Sequence, residues 1–198
     1  METGGQAPLY WPPMKKTLLL LLATLWLSAC VSHPEGQWPA PNQPLERYAV
    51  RGKVAVLGPD SRDSANLYWQ QKAADFKLQL TSFLGTQVLA MEGHPGKVSL
   101  TNDQGTFEDT DAQYLLFQLT GWGLPVDDFP HWLKGQSGER GLVMERDPLG
   151  RIQVLQSEGW TIKYSRWTRE GGRYLPEVMD MTKDNIKIKL QIHQWQPL

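Results

Sequence analysis

Between residues 48 and 193 the chain alternates apolar and polar positions in short runs separated by turn signals. Tyr48, Val50, Val54 and Val56 share one phase of the segment Tyr48 to Leu57. Leu67 and Trp69 do so within Asn66 to Gln71, and Phe76, Leu78 and Leu80 within Phe76 to Thr81. A period of two places each set on one face of a strand and leaves the other face wet. The pattern returns over Leu142 to Arg146, at Ile152/Val154 after the turn Asp147-Pro148-Leu149-Gly150, at Trp160/Ile162/Tyr164, and over Tyr174 to Met181. The last strand is the clearest: Ile186, Ile188, Leu190 and Ile192 alternate with Lys187, Lys189, Gln191 and His193, as in an antiparallel strand with one solvated face.

Two interruptions follow helical periodicity. Thr110-Asp111-Ala112-Gln113 has capping-box spacing, and Ala112, Leu115, Leu116 and Leu119 then recur at helix period until Gly121. In the second, Asp128 is placed to cap, Pro130 falls in the first turn where its missing N–H is harmless, and Gly135 ends the helix. Phe129, Trp132 and Leu133 share its apolar face. About ten antiparallel strands with two mid-chain helices predict a mainly β, single-domain fold: a curved antiparallel sheet forming an incomplete barrel, its open mouth covered by the helices. No internal repeat is visible.

The N-terminal stretch has a different grammar. Lys15-Lys16 form a basic region, Thr17 to Leu27 an apolar one, and Ser28-Ala29 supply the small residues a signal peptidase requires before its cut. The apolar run is shorter than the ~20 residues of a transmembrane helix. It ends at Cys30, the only cysteine. Leu27-Ser28-Ala29-Cys30 resembles the lipobox of bacterial lipoproteins, which implies that residues 1–29 are removed and that Cys30 carries a diacylglycerol and an N-acyl chain. Met14 is the expected start of a signal of ordinary length. Residues 30–46, with Pro34, Pro39, Pro41 and Pro44, read as a flexible polyproline-like tether able to span ~50 Å, ahead of a folded domain over 47–198.

Removing Lys15, Lys16 and Glu2 with the leader leaves 18 basic and 20 acidic residues in a 169-residue mature chain, a balance that gives no footing to nucleic acid. Without a second cysteine there is no intramolecular disulfide, so the fold rests on packing. An enzyme acting on the cell wall or on lipid is disfavoured: His33, His94, His131 and His193 lack metal-ligand spacing, there is no nucleophile elbow, and Gly121-Trp122-Gly123 lacks the third glycine of a nucleotide fingerprint. No metal or cofactor is expected beyond the lipid on Cys30. Asp109/Asp111 and Asp127/Asp128 sit where helices begin, and capping is the simpler role.

Nine tryptophans in 198 residues need a home. Trp69, Phe76, Trp132, Trp160 and Tyr164 fall on the inward phases, either as a bulky core or as the lining of an apolar cavity for an acyl chain. Thr81-Ser82-Phe83-Leu84-Gly85-Thr86 joins two strands, and a hairpin tip with Phe83 and Leu84 before its glycine is unusually apolar. The pair either folds back onto the sheet or offers roughly 1.5–3 kcal/mol per side chain for docking into lipid.

Trp69-Gln70-Gln71, Leu78-Gln79-Leu80-Thr81, Leu84-Gly85, Gly96-Lys97-Val98, Leu119-Thr120-Gly121 with Leu124-Pro125, Trp132-Leu133-Lys134-Gly135, Trp160 to Tyr164 and Ile186 to Leu190 together resemble the LolB family of outer-membrane lipoprotein receptors. The resemblance covers nearly the whole mature chain. It implies a LolA/LolB-like open barrel whose cavity takes the acyl chains of lipoprotein cargo from the periplasmic carrier LolA, and a monomer anchored in the inner leaflet of the outer membrane. It further implies that Leu84, with Phe83, forms a membrane-insertion loop. Trp69, Phe76, Leu78, Leu80, Trp132, Trp160, Ile162 and Tyr164 are the expected acyl-chain cavity. Val31 is not the aspartate that retains enteric lipoproteins in the inner membrane. The chain departs from the family at Ser82-Phe83, where Asn-Pro is expected, and at Gln136-Ser137-Gly138, where Leu-Pro-Gly is expected. The competing reading is a scaffolding lipoprotein of an outer-membrane assembly complex with a filled core.

Overall fold

The computed structural model describes residue 1 and residues 36–59, 61–121 and 123–198. The signal segment and Cys30 lie outside the described residues. Among those described, eleven strands form one antiparallel sheet. The first six are β1 (Arg47–Leu57), β2 (Arg62–Lys72), β3 (Asp75–Thr81), β4 (Gln87–His94), β5 (Lys97–Asn102) and β6 (Gly105–Asp109). Helices α1 (Ala112–Thr120) and α2 (Phe129–Leu133) follow. Then come β7 (Leu142–Arg146), β8 (Ile152–Ser157), β9 (Trp160–Glu170), β10 (Arg173–Lys183) and β11 (Ile186–Pro197). The spatial order β6-β5-β4-β3-β2-β1-β11-β10-β9-β8-β7 pairs the first strand with the last at the centre and leaves β6 and β7 as unpaired edges. The sheet is therefore not closed into a barrel, and among the described residues the chain passes from one edge to the other through the segment carrying both helices.

The inward phases of the strands supply the core. Tyr48, Val50, Val54 and Val56 are buried, as are Leu67, Trp69, Leu78 and Leu80 from β2 and β3, and Ile188, Leu190 and Ile192 from β11. Two bulges change phase where alternation alone predicts continuity. In β11, Arg51 pairs with Gln194 but Gly52 with Ile192, so His193 is the extra residue. The slip turns Trp195 inward, where it lies 5.4 Å from Tyr48. A side chain at Gly52 would run into the backbone of Gln191, so the close approach at this bulge requires glycine. In β8, Glu145 opposes Val154 while Arg146 opposes Ile152. Leu155 rather than Val154 is consequently the fully buried partner of Ile152.

The helix ends differ from expectation. The N-cap of α1 is Asp111, not Thr110: its carboxylate accepts from Tyr114 N at 2.9 Å. Asp109 instead accepts from the amides of Thr110 and Asp111, so the acidic pair organises the turn into the helix. Gly121 closes α1 with φ 72° and donates to the Phe117 carbonyl. Asp128 stands at the N-cap position of α2 but makes no capping hydrogen bond.

The expected tether over 30–46 is only partly described, and the described part lies against the sheet. Arg173 donates to the carbonyls of Pro39 at 2.9 Å, Ala40 at 2.6 Å and Gln43 at 3.2 Å. Trp38 covers Gly171, Pro41 packs on Gly172, and Leu45 is buried in the core. Proline content signalled extended backbone, but an extended backbone exposes its carbonyls, and here a guanidinium fork satisfies three of them. The strap runs at the sheet end that holds the start of β1, the β9–β10 turn and the C-terminus; the β3–β4 loop projects from the other end.

Candidate functional site

On the concave face, between sheet and helices, is an apolar void of about 40 Å³. Its walls come from three sources. Val54, Val56, Leu67, Trp69, Leu78 and Leu80 project from β1 to β3; Met181, Ile188 and Leu190 from β10 and β11; Leu116, Leu124, Val126 and Phe129 close it from the helical segment. No polar atom lines it. The strand residues reach it because each occupies the inward phase, and Leu116 and Phe129 because they lie on the buried faces of their helices.

Of the residues expected to line a cavity, the structure brings Trp69, Leu78 and Leu80 to its wall. Phe76 sits behind them, stacked on Trp69 with ring centroids 5.2 Å apart, and Phe129 meets Trp69 edge-on at 5.1 Å. Trp132, Trp160, Ile162 and Tyr164 are buried in the same core but do not line the void. The aliphatic walls from β1 and β11 were legible as inward phases. Nothing in the alternation showed that these, rather than the tryptophans, would border unfilled space.

The helical cover is held mainly by aromatic side chains that reach up from the sheet. Tyr48 Oη donates to the Pro130 carbonyl at 3.3 Å, and Tyr164 Oη to that of Trp132 at 3.0 Å. Trp160 Nε1 donates to the Gly123 carbonyl at 3.2 Å. Burial pushes both phenols well above the usual tyrosine range, with Trp69 acting in the opposite sense on Tyr48. Both therefore remain hydrogen-bond donors at neutral pH. At the rim the buried Asp128 carboxylate, free of capping, pairs with Arg140 at 3.1 Å, and Arg140 also reaches Glu158 in the β8–β9 turn at 3.3 Å. Burial pulls Lys134, at the end of α2, below the usual lysine range, while the Glu46 carboxylate opposes that shift and Arg173 adds to it.

The β3–β4 loop is built to present its tip. Ser82 N donates to Thr86 O at 2.7 Å, Gly85 N to Ser82 O at 3.0 Å, and Gly85 takes φ 84°, a left-handed conformation in which a side chain is strained. Asn66 Nδ2 fastens the loop base through the Ser82 carbonyl. Phe83 and Leu84 are 91 % and 88 % exposed. They do not fold back on the sheet.

A wholly apolar void under a helical cover, with an exposed apolar loop tip between β3 and β4, is the arrangement that the following likeness fits. The family model described as "Outer membrane lipoprotein LolB" matches residues 46–195. The chain belongs to the LolB family. Relatives named outer-membrane lipoprotein LolB include one from Shewanella loihica, 36 % identical over 89 % of this chain and 86 % of its own length. Another, from Aeromonas hydrophila, is 32 % identical over 90 % of this chain and 97 % of its own. In fold, the chain is similar to a LolA superfamily protein from Nitrosomonas europaea, with TM-score 0.52, 12 % identity and coverage of 80 % and 89 %. A family protein of unassigned function from Desulfovibrio piger gives TM-score 0.51 at 6 % identity, covering 78 % and 87 %. At such identities these two likenesses speak to the fold alone.

Proposed function

We propose that this LolB-family chain accepts lipoproteins from a LolA-like periplasmic carrier, holds their acyl chains between its sheet and its helices, and inserts them into the outer membrane. Its own anchor is a lipid on Cys30, which keeps the folded body at the periplasmic face of that membrane. The observation that carries the reading is the all-apolar lining of the void. Each buried methylene contributes ~0.8 kcal/mol, so an acyl chain crosses water only if a site of comparable quality receives it. Membership of the LolB family supports the same assignment.

The void is too small for cargo as it stands. At about 40 Å³ it has room for about three waters, whereas an acyl chain brings many methylenes. Acceptance therefore requires α1, α2 and their connection to lift from the sheet. The hydrogen bonds from Tyr48, Trp160 and Tyr164 are among the polar ties that lifting must break, with those of Asp128 and Arg140 to Ser157 and Glu158. A nearly filled resting core is thus the closed form of a receptor rather than the permanent core of a scaffold. With no nucleotide motif in the chain, direction follows from affinity that rises from carrier to receptor to membrane.

Phe83 and Leu84 serve the last step by entering lipid at the loop tip. Leu84→Glu is expected to leave transfer of cargo from the carrier intact and to abolish its release into liposomes, measured as lipoprotein recovered with floated vesicles. Normal release by that variant would remove the loop from the mechanism. Failure of the unmodified protein to take cargo from the carrier would overturn the reading as a whole.

A further inference from the structure

Adjoining the void is a much larger open groove of about 930 Å³. Val126 lines both spaces, and Phe76, in the wall of the groove, stacks on Trp69, in the wall of the void. Helix α2 borders the two as well: Phe129 lines the void, while its neighbours Pro130 and His131 line the groove. The rest of the groove is built by the β2–β3 and β4–β5 turns and by the start of α1, with Ala74, Lys97 and Gln113 among its walls. Unlike the void, it is polar. Three of its charged side chains are engaged by neighbours: Lys97 by Glu108, His94 by Asp75, and Arg140 by Asp128 and Glu158. The side chains of Gln113, Asp127, His131 and Lys134 make no hydrogen bond or ion pair to the described residues, so both donors and acceptors stand open.

We propose that this groove seats the polypeptide of the lipoprotein cargo, over the segment that follows its acylated cysteine. The proposal rests on the acyl-binding reading above and names where the rest of the same molecule goes. Acyl chains and polypeptide are joined through one cysteine, which must therefore stand where an apolar space meets a polar one, and Val126 marks such a border. Because α2 contributes to both walls, the lifting that enlarges the void also opens it towards the groove. A polypeptide brings a backbone donor and a backbone acceptor at nearly every residue, and free groups of both kinds are what the groove offers. The phosphate of a phospholipid would call for cations left unopposed. Here Glu46, Asp111, Asp127 and Glu158 line the groove together with Lys97, Lys134 and Arg140. Main-chain contacts are alike for every sequence, so a peptide held in this way is accepted whatever its side chains.

The test uses the full chain and two synthetic ligands, a cysteine amide bearing N-palmitoyl and dipalmitoylglyceryl groups, and the same compound extended by a short peptide tail. Tryptophan quenching reports acyl binding by each. The wild-type protein is expected to bind the tailed compound about tenfold more tightly, the worth of one or two net hydrogen bonds. Ala74→Phe/Gln113→Phe, which fills the groove at two exposed positions, is expected to lose that preference and to bind the tail-less compound as the wild type does. Independently, a photoreactive benzoylphenylalanine at Ala74 or at Gln113 should capture the tail, and one at Val88 or Leu149, exposed residues outside the groove, should not. Equal affinity of the wild type for both compounds, or capture at Val88 or Leu149 in place of the groove, would overturn the proposal while leaving acyl binding intact. A dipalmitoyl phospholipid bound as tightly as the tailed compound, and weakened by the same double substitution, would assign the groove to phosphate instead. Binding of none of these ligands would overturn the acyl-binding reading and the proposal with it.

Discussion

Buried aromatic side chains with polar tips do two jobs here at the scale of single residues. Their rings fill the concave face, and their donors hold the cover, as Tyr48, Trp160 and Tyr164 show. This predicts an alkaline limit to stability. The phenols of Tyr48 and Tyr164 are raised by burial above the ordinary value near 10. Their stabilising contribution is complete below about pH 10 and is lost as pH rises towards the folded-state values, because the unfolded chain ionises first. Urea midpoints measured from pH 9 upwards should fall above about pH 10, and less steeply in Tyr48→Phe/Tyr164→Phe. An unchanged slope would place the limit elsewhere. Asp128 makes a complementary point. Its place before Phe129-Pro130 is that of a cap, yet the carboxylate turns to Arg140, a partner twelve residues further on that local spacing cannot reveal.

At the scale of elements, hairpin phases were readable from alternation, and the departures occur where a bulge inserts a residue. Val154 was on the expected inward phase, but the irregular pairing of β7 with β8 gives that place to Leu155. Likewise Trp195 breaks the even-numbered phase of β11 and is buried only because His193 is looped out. Bulges are set by the partner strand and leave little local signature. The proline-rich strap behaves similarly. Arg173→Ala removes the donors to three carbonyls, and residues 38–43 should then be cut much faster in limited proteolysis while the thermal midpoint of the sheet moves little. Equal resistance of wild type and variant would mean that Trp38 and Leu45 alone hold the strap.

At the scale of the whole molecule, an unclosed sheet whose two edges are linked only through the helical segment gives the cover freedom to move without breaking strand pairing. Under the proposed acyl binding, a resting void far smaller than an acyl chain requires that motion. The rate of binding of a fluorescent fatty acid should therefore level off as its concentration rises, at the rate of lid opening, and should level off higher when Tyr164→Phe removes one tie. A rate that stays proportional to ligand well into the millimolar range would mean that no closed form has to open. The strap and the Phe83-Leu84 loop lie at opposite ends of the sheet, so the body has one end that holds its N-terminal segment and another that presents the apolar tip.

The sequence by itself determined eight of the eleven described strands, most of their inward faces, the two helices between them and an apolar turn at Phe83 and Leu84. These depend on short-range periodicity and on local backbone preference, which the chain carries residue by residue. The family likeness was legible too, because it lies in the order of short motifs. Tertiary structure decided which inward residues border empty space, why aliphatic rather than indole side chains line it, and which carbonyls the buried tyrosines hold. Each depends on where distant strands and helices meet, and packing across β1, β9, β11 and α2 is set by volume and register between segments tens to more than a hundred residues apart, which no local pattern encodes.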